Sequence, residues 1–349
     1  MQIEIWNIQG QGFHFGKHGL GQEQTSICMP SDSLFAALVS RLAALHGSSA
    51  VREFMAPFIE GEPPFVLSST FPYAGQVHFF PTPAYSPGNR SGISSPVTPK
   101  TLKKIAYVSH SLFIRLLEGG ALAGLYPYAV SLQEGLVLVA EEELDNLPGE
   151  IRSNLSPIWQ VEKRPRVTLG RSVQNSTIYF TGRVAYAARC GLWFGVRWLV
   201  DDQPLKDLFA QLLADLGDAG LGAERSAGFG ACWIEPGGAM ELPEAAGTPW
   251  VSLSRYLPRR AEMAALNHPS ASYRIENVGG WLDSPIRRGQ RRRPVNLIAS
   301  GSVLGPLDPK VPGQVVDLRP VYETDPDPLG HPVYRSGITL SVGLRGGGK

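Results

Sequence analysis

The sequence predicts an α+β protein whose first half runs in the order β-α-β-β-α-β, a ferredoxin-like (RRM-like) arrangement. Three stretches carry that prediction. Residues 2–8, QIEIWNI, alternate apolar and polar side chains as a half-buried strand does, and after the glycine-rich GQGFHFGKHGLGQ the apolar positions Leu34, Phe35, Leu38, Leu42 and Leu45 fall at helical spacing. Residues 65–80 hold two short apolar runs, FVLSSTF and QVHFF, parted by Pro72, Ala74 and Gly75 as in a pair of strands. Residues 177–187 and 191–200 read as two more strands around a turn at Arg189 to Gly191, and a helix from Pro204 to Leu216 leads through a glycine-rich segment into a last strand.

Taken in order, Ser31 is expected to cap the first helix, with Asp32 at the positive end of the helix dipole, and Gly47 to end it. The stretch from Pro81 to Pro99, PTPAYSPGNRSGISSPVTP, is loop chemistry with little to bury and is expected to be an exposed excursion. A helix is expected from Thr101 to Leu117, followed by the acidic EEELDNLPGE, so residues 81 to about 160 read as an insertion in a first unit of residues 1–240. A second, β-rich unit, residues 241–349, carries the strand-like runs VSLSRYLP, YRIENVGGWLD, RRPVNLIASGSVL, GQVVDLRPVY and GITLSVGL.

A chain of 349 residues exceeds the roughly 100 to 200 residues of one domain, and its 43% hydrophobic content can supply two cores. The start MQIEIWNIQG has neither the basic opening nor the apolar run of a signal peptide, and no stretch of about 18 apolar residues lacks a polar interruption. A soluble, cytoplasmic chain without membrane contact is the expectation. Cys28, Cys190 and Cys232 are odd in number, far apart and without CxxC or paired-histidine spacing, which reads as reduced core thiols and no structural metal.

The formal net charge of +1 hides a segregation along the chain. Residues 131–160 hold one base against six acids, and residues 201–250 two against nine. Residues 161–200 hold seven bases against one acid, and residues 251–300 nine against three, all nine being arginine. Arginine presents a planar fork suited to phosphate and stacks on bases, so the basic stretches point to localised RNA contact; two solvated faces are the plainer alternative.

The most informative run is Gly217, Gly220, Gly222, Arg225, Ser226, Gly228, Phe229 and Gly230. Glycines let backbone amides approach a phosphate or let a helix pack closely on a sheet. GxxxxGK[ST] is absent and the glycines precede a strand, which excludes a Walker loop and a dinucleotide fingerprint and argues against nucleotide hydrolysis.

This run resembles the glycine-rich loop, RSxGFG, of the RAMP superfamily of CRISPR proteins. HFG at residues 14–16, SDSLFAAL at 31–38, Lys103 and Lys104 ahead of YVSHSLFIRLL, PRVTLGRSVQNSTIY at 165–179, GSVL at 301–304 and HPVYRSGITL at 331–340 resemble, in the same order, the fourth subunit of type III-A Csm effector complexes. The resemblance covers nearly the whole chain. It implies two ferredoxin-like (RRM-like) RAMP domains, the first with a large insertion and the second β-rich and degenerate. It also implies a non-catalytic subunit that clasps the 5′ repeat-derived tag of crRNA and joins a large polymerase-like signalling subunit to an adjacent RAMP backbone subunit. By the same resemblance Gly222, Arg225, Ser226, Gly228 and Gly230 form the tag-binding loop, and His14, Gly16 and Lys17 line the same groove. Arg166, Thr168, Arg171 and Ser176 belong to a protruding hairpin where tag meets spacer. Gly170 departs from the family's pattern, which carries an aspartate before the arginine.

Lys103 and Lys104 read either as a solvated pair or as RNA contacts. Arg287, Arg288, Arg291, Arg292 and Arg293 place five guanidinium groups within seven residues, which repel unless an anion lies across them, and RNA is the favoured anion. His18, His46, His78, His110 and His268 are scattered singly and read as satisfied or exposed residues with no role. No cofactor is expected. Two other function classes stay open. One is a metal-independent endoribonuclease that processes crRNA through His14 and Lys17. The other, an enzyme acting on a small ligand, lacks any acid, metal or cofactor motif.

Overall fold

The computed structural model describes residues 1–16, 24–84, 97–169, 176–282, 284, 287, 289–307, 311–325 and 327–345, with only the backbone of residues 168, 169, 176 and 177. Lys17, Arg171, Arg288, the side chains of Thr168 and Ser176, and residues 85–96 of the proline-rich stretch therefore lie outside the described residues.

The chain opens with β1 (Gln2–Gly10), β2 (Phe15–Gly16), β3 (Thr25–Ser26) and α1 (Ser31–Glu60). Next come β4 (Phe65–Leu67), β5 (Phe71–Ala74), β6 (Val77–Pro81), α2 (Pro99–Lys104), β7 (Tyr107–Ser109) and α3 (His110–Leu117). The middle holds α4 (Leu122–Leu125), β8 (Ala129–Leu132), β9 (Val137–Ala140), α5 (Gly149–Arg152), β10 (Trp159–Leu169), β11 (Ser176–Tyr186) and β12 (Cys190–Trp198). α6 (Gln203–Ala219) and β13 (Cys232–Glu241) complete the first part. The rest is β14 (Trp250–Ser252), β15 (Ile275–Trp281), β16 (Arg291–Ile298), β17 (Val303–Leu304), β18 (Val315–Asp317), β19 (Tyr334–Ser336) and β20 (Ser341–Gly343).

A nine-stranded mixed sheet in the order β13-β1-β12-β5-β6-β7-β9-β8, with β4 also paired to β12, organises the molecule. The four strands β13-β1-β12-β5 are antiparallel throughout, and only β7 and β9 run parallel. α1 and α6 cover this end through Phe58 and Phe209, which meet Trp6, Phe65 and Trp198 edge to face, with Phe35 packed edge-on against Phe58. Each such fully buried aromatic contributes on the order of 2 to 3 kcal/mol through burial. The core is continuous into the C-terminal part, where Val251, Leu253, Val303, Leu340 and Val342 join the same cluster. A smaller cluster gathers Trp250, Tyr256, Ala265, Ile298 and Leu304. Among the described residues this part has a single short 3-10 helix, 260–265, and no α-helix.

Several local expectations are corrected. Ser31 does not cap α1: Pro30 occupies that position without a side-chain bond, and the Ser31 hydroxyl accepts the Arg255 amide at 2.9 Å. Gly47 breaks the helix (φ 79°) but does not end it, because helix resumes to Glu60 and closes on left-handed Gly61. By length and composition α1 could cross a membrane, yet Leu34, Phe35, Leu38, Leu42, Met55 and Phe58 are buried in the core. The single helix expected from Thr101 to Leu117 is two helices around β7, because Tyr107, Val108 and Ser109 pair with β6, and Tyr107 and Val108 also with β9. The stretch read as an insertion supplies β7, β8 and β9, which extend the main sheet. The strands expected at 177–187 and 191–200 exist but do not pair with each other; β11 pairs with β10 along eleven residues in a ribbon of its own.

Candidate nucleic-acid interface

α6 forms because Asp202 caps it, accepting the Leu205 amide at 3.1 Å, with Pro204 in the first turn. It must stop at Gly220, after which the chain knots back on itself. Leu221 donates to Gly230 O, Gly230 to Gly12 O and Ala223 to His14 O, each at 2.9 Å. Gly222 has φ 90°, and a Cβ there would stand 2.5 Å from the His14 carbonyl oxygen. Gly230 is equally constrained, its Cβ position being filled by Leu221. Gly222 is required for the close approach of this segment to His14 and Phe15, and Gly230 for its closure on Leu221. The amides of Ala227, Gly228 and Phe229 are also committed within the knot. Arg225, Ser226 and Gly228 form its exposed rim.

The hairpin β10–β11 lies against that rim. Arg166 donates from Nη2 to the Ala227 carbonyl at 2.8 Å, and its guanidinium stands over the Phe229 ring at 4.9 Å. Alternation along the strands puts Glu162, Arg164, Arg166, Tyr179 and Arg183 on one face. Val161, Val167, Ile178 and Phe180 are exposed on the other. Arg183 is held by Glu162 at 3.2 Å and by the Gln11 carbonyl, and it fills the space beside Gly12. Glu162 also pairs with Arg164 at 2.6 Å.

His14 is a correction. It is only 4% exposed, and its Nδ1 lies 2.7 Å from the Gly182 carbonyl oxygen, so the ring ties β2 to the hairpin and has little surface for a ligand. Gly16 is exposed at the end of β2. Lys103 and Lys104 are exposed in the last turn of α2, where they complement the helix dipole. Strand order places them toward the β7–β9–β8 end of the sheet, whereas the glycine-rich segment leads into β13 at the opposite end. The structure does not bring them together.

The arginine run near residue 290 is also split. Arg287 pairs with Asp325 at 2.8 Å, Arg291 stacks on Trp281 at 4.3 Å, and Arg293 donates to the Asp317 carbonyl at 2.7 Å. Arg292 points to the opposite face of β16, so among the described residues no single patch gathers the run. The expected mutual repulsion is relieved largely by protein groups. Beyond the expected residues, the structure gathers Arg255 and Arg335 on the buried Asp32, at 3.0 and 3.4 Å. No local signal marks that group, because Asp32 lies 223 residues from Arg255 and 303 from Arg335.

Cys28, Cys190 and Cys232 are free thiols, each pushed up to about 12 by burial. Among the described residues, no group of three or more His, Cys, Asp or Glu side chains could hold a metal ion.

Residues 245–344 match the family model of the CRISPR Csm4 C-terminal domain. The chain is 27% identical over 324 residues to the CRISPR system Cms protein Csm4 of Thermococcus onnurineus, covering 90% of this chain and 91% of that one. A chain of the Csm3–Csm4 subcomplex of a type III-A CRISPR-Cas interference complex superposes with a TM-score of 0.64 at 16% identity, over 97% of this chain and 98% of its own. The chain is therefore similar to Csm4 proteins over nearly its whole length, and its residues 245–344 match their C-terminal domain. A chain of a Csm1–Csm4 cassette in complex with cA3 superposes on this Csm4-like protein with a TM-score of 0.58 at 19% identity, over 99% and 98%. At these identities the two superpositions speak for a mixed α/β fold with a large mixed sheet.

Proposed function

We propose that this Csm4-like chain is a non-catalytic, RNA-binding subunit of a cytoplasmic type III CRISPR effector complex that holds the 5′ repeat-derived tag of crRNA. The observation that carries the reading is the junction of Arg166 with Ala227 and Phe229, which joins the basic face of the hairpin to the exposed rim Arg225, Ser226 and Gly228. Phosphates would meet arginines and the rim, and the hairpin would set the register of the RNA where tag meets spacer.

The antiparallel order β13-β1-β12-β5 with two covering helices supports a ferredoxin-like first unit, residues 1–240, and the small sheets that follow support a β-rich second one, residues 241–349. The likeness to Csm4 chains solved with Csm3 and with Csm1 supports the assignment of two neighbours, an adjacent RAMP backbone subunit and the large polymerase-like signalling subunit, which this chain would bridge. The endoribonuclease alternative loses its base, because His14 is buried and engaged with Gly182.

The deciding experiment measures binding of the full chain to an RNA with the 5′ tag and to the same RNA without it, following RNA integrity in the same tubes. Tag-dependent binding with intact RNA is expected, and Arg166→Ala should flatten the salt dependence by about one unit on log axes. Equal binding of both RNAs would overturn the tag assignment. Cleavage would restore the nuclease.

A further inference from the structure

A second group of charges lies outside that groove. Asp32, in the first turn of α1, is fully buried; its Oδ1 accepts from Arg255 Nη1 at 3.0 Å, and its Oδ2 lies 3.4 Å from Arg335 Nη1. Arg335 Nη1 also donates to the Asp32 carbonyl at 3.0 Å. Arg255 turns its other edge to Glu276, with Nη2 at 2.7 Å, and Glu276 is shared with Arg274 at 3.2 Å. Arg292 lies against Gly280, where a Cβ would stand 2.9 Å from Nη1, and the neighbouring Arg293 amide donates to Leu318 O at 2.9 Å, which sets this part of β16 beside the β18–β19 pair that carries Arg335. Among the described residues Arg292 makes no ion pair, and the Nε atoms of Arg292 and Arg335 are buried without a hydrogen-bond partner.

Arg255, Arg274 and Arg335 thus share two carboxylates, with Arg292 as a fourth guanidinium on the adjoining strand, and an unmatched cation is costly where water is scarce. Burial and then the neighbouring Arg335 pull Arg292 down to about 10, with Asp32 opposing and Arg255 adding to the effect, so it stays charged at neutral pH. The side chains of Arg255 and Arg335 keep 18% and 13% of their exposure, so the cluster meets solvent at its edge. Converging guanidinium N–H groups suit a tetrahedral phosphate. On the opposite face of the same ribbon Arg291 stacks on Trp281, which is 64% exposed. An aromatic platform close to a phosphate contact is how single-stranded RNA is held, and this favours a nucleic-acid phosphate over a partner's carboxylate.

We infer that Arg292 and Arg335, backed by Arg255, form a second phosphate-binding point between α1 and the β15–β16 ribbon, which takes a phosphodiester of the bound RNA and shares no residue with the glycine-rich segment. This rests on the RNA-binding reading above.

The test uses the full chain with two probes, inorganic phosphate in thermal melts and the tagged RNA in salt titrations, on wild type, Arg292→Gln and Arg166→Ala. Phosphate should raise the melting temperature of wild type and not of Arg292→Gln, and the salt slope of RNA binding should fall by about one unit in Arg292→Gln, independently of the loss from Arg166→Ala. Should Arg292→Gln fold poorly, Arg292→Lys keeps the charge, removes the planar fork and should weaken RNA binding several-fold. An unchanged slope in Arg292→Gln beside a reduced one in Arg166→Ala overturns this point and leaves the main groove standing. Unchanged slopes in both overturn RNA binding by either region. Phosphate stabilisation of wild type alone, with an unchanged RNA slope in Arg292→Gln, assigns the cluster to free phosphate and overturns the RNA source.

Discussion

The hairpin β10–β11 and the ribbon β15–β16 are both long antiparallel pairs rich in arginine, and they dispose of that charge in opposite ways. In the hairpin Arg164 and Arg166 are two residues apart, so they share a face, and register adds Arg183 from the partner strand. In the ribbon Arg291, Arg292 and Arg293 are consecutive, so the strand deals them to opposite faces and each finds a different environment. A charge count therefore locates a basic stretch, whereas parity along the strand decides whether it becomes a basic surface.

The largest expected effect tests the ribbon side. Asp32→Ala in phosphate-free buffer leaves Arg335 without its carboxylate and Arg255 with Glu276 alone, and should cost about 3 to 5 kcal/mol in denaturant unfolding. A loss below about 1 kcal/mol would mean that the cluster is solvated and not part of the core.

Acid sensitivity must be separated from both regions, and His78 supplies the control. Burial, and then His110, lower His78 from 6.5 to about 4. The unfolded chain takes up this proton first, so stability is complete above about 6.5 and is lost as pH falls toward about 4, by roughly 3 kcal/mol in all. His78→Gln should flatten that decline; an unaltered decline would shift the blame to the carboxylates of the two arginine regions.

On the hairpin side Gly222→Ala drives a Cβ toward the His14 carbonyl at a φ of 90° and should cost about 2 kcal/mol. RNA affinity should drop with it, because the rim no longer meets Arg166. Retained affinity in a destabilised variant would detach the glycine-rich segment from the binding surface. The smallest effect is expected for Arg287→Ala, since its pair with Asp325 is half exposed on both sides: about 0.5 kcal/mol or less, and RNA binding unchanged. Weakened binding there would return the run near residue 290 to the status of one continuous patch.

Much of the first part was legible in the sequence. Strand alternation at residues 2–8, the proline and aspartate that start α6, and the glycines that end it act within a few residues of themselves, so local chemistry determines them. The same holds for Arg225, Ser226 and Gly228 on the exposed rim. Less legible were the short strands β7, β8 and β9, whose apolar runs are too brief to separate strand from helix until the sheet edge beside β6 selects strand.

By itself, then, the sequence determined a mixed helix-and-sheet fold, the glycine-rich turn and the two arginine-rich stretches, because each depends on period, backbone freedom or composition over a short span. Only the tertiary structure decided that His14 is buried against Gly182, that Arg166 reaches Phe229 across 63 residues of sequence, and that Asp32 gathers arginines from the far end of the chain. Those outcomes depend on which faces are brought together when distant segments close over one core, and no local pattern encodes the partner of a charge hundreds of residues away.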